Sequence, residues 1–129
     1  MTASSDEWAA LAHLTGMTFE VAQARMALLR QRETALRATL RALESDRKSR
    51  PVGDDDPAQR AGADVLWQQW VDRRRTALNG ELARTLAQMD AARASLARAH
   101  GRHQVTDSLA EQATKAARDA RERRSDRGW

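Results

Sequence analysis

Apolar residues along this chain recur at alternating spacings of three and four. From Ala22 the series runs Met26, Leu29, Leu36, Leu40 and Leu43, with Glu33 as its one polar member. That spacing keeps a single stripe of a helix facing a partner helix, and it predicts a heptad seam. A second series follows further on, through Leu78, Leu82, Thr85, Met89, Ala92, Leu96 and Ala99. Trp67, Trp70 and Val71 open this second apolar side, and beyond Gly101 the large apolar residues suggest a slip of one residue, onto Val105, Leu109, Gln112 and Ala116. Such a slip changes the local winding of a coiled coil.

Breaks in the pattern set the element boundaries. Pro51 and Pro57, the only prolines, bracket Val52-Gly53-Asp54-Asp55-Asp56. Proline lacks a backbone donor and disfavours helix in the residue before it, so the first helix stops there. Asp56 suits the cap of the second helix, Pro57 its first turn, and the three aspartates complement its dipole. At the amino end, Ser4 and Glu7 have the spacing of a capping box ahead of Trp8, Leu11 and Leu14. Gly16 then predicts a kink or restart, with Thr18 and Glu20 placed to cap a fresh start. The reading is all-α, an elongated antiparallel two-helix coiled-coil hairpin forming a single domain over 1–129. Helix 1 covers about 5–49, the turn about 50–57 and helix 2 about 58–124, with the charged end from Arg118 to Arg127 fraying. At about 1.5 Å per residue the helices span ~65 and ~100 Å, so the surplus of the second pairs with the Trp8 segment or protrudes.

Composition narrows the function. The chain has 129 residues, 41% of them hydrophobic, with one Phe, no Tyr and no Cys. Large side chains that would build a compact core are scarce, and Ala, Leu, Arg and Glu suit long helices instead. Without cysteine there is no disulfide framework and no thiolate chemistry. No run approaches the ~20 apolar residues that span a bilayer, and no signal peptide is legible, so a cytoplasmic protein without stable membrane insertion is expected.

Candidate chemistry is thin. His100 and His103 lie one turn apart but lack a third ligand at helical spacing, so no metal and no cofactor is expected. Asp54-Asp55-Asp56 lacks the ligand pattern of a calcium loop, and a two-helix rod offers no catalytic pocket, so the chain is not expected to be an enzyme. The net charge is +4, with the densest basic runs at Arg73-Arg74-Arg75 and Arg121 to Arg124. No nucleic-acid recognition motif accompanies them, and mixed charge is what solvated helix faces carry.

The tryptophans stand out. Trp67 and Trp70 flank the turn, and two readings stay open: a buried pair under the tip, or an exposed anchor for another protein, as tryptophan often supplies at interface hot spots. Leu66, Val71, Arg74, Ala77 and Leu78 extend that surface down successive turns. At the other end Trp8 reads as the cap of the seam and Trp129 as a tail residue.

Leu66-Trp67-Gln68-Gln69-Trp70-Val71, followed by Ala77-Leu78, resembles the FliJ family of flagellar export proteins and its YscO-type injectisome relatives. Leu96-Ala97-Arg98-Ala99-His100-Gly101-Arg102 and Leu109-Ala110-Glu111 are similar to that family's C-terminal half. The resemblance implies a stalk, peripherally associated with the inner-membrane export apparatus, that couples an export ATPase hexamer to a membrane export gate and also escorts export chaperones. Carried onto this sequence, it puts the gate-facing surface at Trp67, Trp70, Val71, Arg74, Ala77 and Glu81. Arg74 stands where the family has an aliphatic residue, and Glu81 replaces a polar one. The ATPase end would comprise Trp8, Leu11, Leu14, Arg118, Arg121 and Arg124. With only one convincing apolar stripe per helix, the free chain is expected to be monomeric. The rival is a coiled-coil adaptor or secretion chaperone, which needs an additional exposed apolar face.

Overall fold

The structure, a computed structural model, describes residues 4–49 and 57–128, and for 58–60 the backbone alone. Two long helices pack against each other: α1, Ser5–Ser49, and α2, Pro57–Arg127. The described residues contain no strand. The expected turn, with Pro51 and the three aspartates, lies outside the described residues, as does Trp129.

α1 starts as its sequence dictates. Ser4 Oγ accepts a hydrogen bond of 3.2 Å from the Glu7 backbone N–H, satisfying one of the donors that a helix start leaves free. Asp6 and Glu7 in the first turn and Arg47 and Lys48 in the last both complement the helix dipole. Pro57 opens α2, where its missing N–H costs nothing. α2 stays helical past the expected fraying point to Arg127, and the Gly128 N–H donates to the Arg124 carbonyl. Arg124 and Arg127 stand where the dipole favours cations.

Contacts group the described residues into two compact units, the first drawn from 1–26 and 91–129, the second from 27–90. In the second unit Leu36, Leu43, Val71 and Leu78 form the core, and Leu40, Trp67 and Leu82 pack against it half-buried. Glu44 of α1 reaches Arg75 of α2 at 3.8 Å, and Arg75 also pairs with Asp72. These are exposed pairs, each worth ~0–1 kcal/mol, so burial of Leu and Val holds this unit together. Thr85 is buried too, and its hydroxyl donates to the Glu81 carbonyl one turn back, which removes the cost of an unmet polar group.

The first unit is built differently. Buried positions here are Ala12 and Met26 on α1, and Ala92, Ala99 and Thr106 on α2. Phe19 stacks on His103 and lies tilted against His100, with ring centroids 6.0 and 5.1 Å away. Thr15 meets Thr106 at 2.7 Å between hydroxyl oxygens, and His103 Nδ1 lies 3.3 Å from the same Thr15 oxygen. In both units, rising numbers on α1 meet falling numbers on α2, so the helices run antiparallel.

Two expectations fail in this unit. Gly16 neither kinks nor restarts α1, which passes through it unbroken. Instead the glycine makes room, since a Cβ there would stand 3.2 Å from His103 Cε1. Thr18 caps nothing; its hydroxyl donates to the Leu14 carbonyl inside the helix. Nor does the seam slip after Gly101. It continues at the same spacing through half-buried His103, buried Thr106 and half-buried Ala110, Ala113 and Ala117; of the slipped series Val105, Gln112 and Ala116 are exposed and Leu109 alone is half-buried. Small and polar residues hold the inward positions here, while Val105 stands off them.

Candidate functional site

Two surfaces carry the residues singled out by sequence. In the second unit the six gate-side residues divide between core and surface. Val71 is fully buried and Trp67 packs against the core, so neither belongs to a free surface. Trp70 is 52% exposed, and Arg74 and Ala77 follow it, exposed, at four and seven residues. Residues so spaced share one helix face. Leu66, one turn before Trp70, prolongs the exposed strip, and half-buried Glu81 continues it one turn beyond Ala77. The side chain at 70 is therefore about half open to solvent, with Arg74 one turn further on the same face. Neighbouring Arg73 donates to the Gln69 carbonyl, and Arg75 is engaged by Asp72 and Glu44.

The six ATPase-side residues lie in the first unit and divide as well. Trp8 is half-buried in the seam, four residues before Ala12. Leu11 and Leu14 are 42% and 59% exposed. The reason is phase: a seam carried back from Met26 at spacings of three and four falls on Ala22, Phe19, Thr15, Ala12 and Trp8, one residue away from each leucine. Arg118, Arg121 and Arg124 are exposed, as is every described residue from 121 onward. The leucines and the arginines are thus accessible, while Trp8 acts in packing.

An apolar strip that sequence reading missed lies on α1. Val21, seven residues after Leu14, is 70% exposed and shares its face. In the second unit, by itself, Leu28 is likewise exposed. The signal was present as a second run with three-and-four spacing, at 11, 14, 18 and 21, displaced by one residue from the buried run.

The polar centre of the first unit was also missed. Thr15, His103 and Thr106 join the helices through hydroxyl and imidazole, and each hydroxyl also lies near a carbonyl of its own helix. His100 and His103, one turn apart in sequence, both pack on Phe19. Among the described residues no three His, Asp or Glu side chains converge as a metal-binding group. Among the same residues, no helix is long and apolar enough to cross a membrane.

An exposed tryptophan and exposed arginines can dock other macromolecules. Compared with known protein families, with curated proteins and with solved structures, the chain matches none.

Proposed function

We propose that this chain is a non-enzymatic stalk of a bacterial flagellar type III export apparatus, linking an export ATPase ring to a membrane export gate and engaging export chaperones. It would act in the cytoplasm, peripherally associated with the inner-membrane machinery. The observation that carries the reading is the exposed Trp70, standing with Leu66, Arg74 and Ala77 on one face near the start of α2. That is the position where the resemblance to export stalks puts the gate contact. Trp and Arg are the side chains that most often dominate binding energy at interfaces. The opposite ends of the chain offer exposed Leu11, Leu14, Arg118, Arg121 and Arg124 for the ring. Contacts of this kind are individually weak, which suits a part that must shift within a ring.

The adaptor or chaperone reading gains support from one observation. Leu11, Leu14 and Val21 form the additional exposed apolar face that such a protein requires.

Co-purification from the native cell separates the two. The tagged chain, at physiological salt, should recover an export ATPase and a membrane gate protein, with the gate selectively lost for Trp70→Ala. Recovery of neither, together with a stable dimer or one unfolded cargo, would sink the stalk and favour the adaptor.

A further inference from the structure

The first unit has two flanks beside its seam, and their chemistry differs. Along one, His13, Glu20, His103 and Asp107 line a polar groove. Along the other, Leu11, Thr15, Gly101, Val105 and Thr106 line an open groove of ≈ 610 Å³ that Arg98 and Arg102 also border. Val105 is 58% exposed, and Leu14 and Val21 carry the apolar edge further along α1. At Gly101 nothing lies within 4 Å of where a Cβ would stand, so a visiting chain can approach the backbone closely.

The two charged side chains that line this groove, Arg98 and Arg102, are both cationic. Arg98 donates to the neutral Ser95 hydroxyl at 3.3 Å. Among the described residues, neither Arg98 nor Arg102 has a carboxylate within ion-pair distance. The acidic side chains Glu20 and Asp107 line the opposite groove.

We propose that this groove receives an acidic amphipathic α-helix of a partner protein. Leu11, Leu14 and Val21 have the spacing that meets the ridge of another helix, and a helix laid there would extend the two-helix packing to three. Carboxylates on its flanks would answer the two guanidiniums, which are well shaped for them. A second copy of this chain fits poorly, because a self-complementary contact brings the arginines of both copies to the same rim. The groove is also too open to enclose a small molecule. The inference goes beyond the export reading and does not depend on it.

The test uses the full chain and a fluorescent three-heptad peptide with Leu at its a and d positions and Glu at e and g, which keeps the peptide from pairing with itself. A twin carries Lys in place of Glu. The Glu peptide should bind, seen as a rise in fluorescence anisotropy, and the Lys twin should not. Leu14→Glu or Val105→Glu should weaken binding by about tenfold or more. The double variant Arg98→Glu/Arg102→Glu should reverse the preference toward the Lys twin, a switch that loss of folding cannot produce. All four side chains are exposed, and circular dichroism checks that the variants stay helical. Equal binding of the twins overturns the proposal, and so does no binding or binding indifferent to the four substitutions. Dimerisation abolished by Val105→Glu, or capture by anionic vesicles without peptide binding, would overturn it too. Failure of the co-purification above would leave this result standing.

Discussion

At Gly16 the His103 ring fills the space a side chain would need, whereas at Gly101 that space is empty. Both glycines sit in helix interiors, where glycine costs about 0.5–1 kcal/mol relative to alanine. Gly101→Ala should therefore raise stability by about that amount in urea unfolding. Gly16→Ala should gain less or lose, because the imidazole must retreat by a few tenths of an ångström from its place on Phe19 and beside Thr15. Equal gains at the two sites would mean that the ring is not held there. The tryptophans differ in the same way: Trp67 contributes to the core, while Trp70 offers its indole to solvent and to whatever binds there.

Each helix keeps one inward face, but the two units fill it unlike each other. Leu36→Ala, which empties a buried position beside Leu43, Val71 and Leu78, should cost about 2–4 kcal/mol. Leu14→Ala should change stability by no more than ~0.5 kcal/mol, since that side chain is mostly in water. A thermal or urea comparison of the two variants checks the assignment, and comparable losses would refute it. Sequence alone made the helices legible: prolines at 51 and 57 and the leucine series gave α1 its bounds and α2 its start. It misread the phase of the first unit for a physical reason. Beyond Gly101 bulk hydrophobicity points to Val105, but a helix cannot change phase without distortion. The regular spacing set by Met26 and Met89 prevails, and Ala12, Thr15, Phe19, His103 and Thr106 fill the seam. The candidate surfaces were half legible for the same reason. Trp70, Arg74 and Ala77 came from what the resemblance implies, and Val71 and Trp67 could be told apart from them only by knowing which face the partner helix covers.

At the scale of the molecule, the ion pairs seen among the described residues contribute little. Those described, Arg37 with Glu33, Arg47 with Glu44, and Arg75 with Asp72 and Glu44, all keep substantial access to water. Raising NaCl from low concentration to about 0.5 M should thus shift unfolding free energy by less than ~1 kcal/mol, and a steep fall would assign stability to charges rather than burial. Another property of the whole follows from the displaced strip on α1. Glu7, Leu11, Leu14, Thr18 and Val21 immediately precede Trp8, Ala12, Thr15, Phe19 and Ala22. The helix thus carries two interleaved frames, much as a message carries reading frames. Deleting a single residue such as Gln23 would turn everything before it by about 100° and bring the leucines inward. The protein would then hide what it now displays, so the length of one short helical stretch, to the residue, decides whether this end is open to partners or closed on itself.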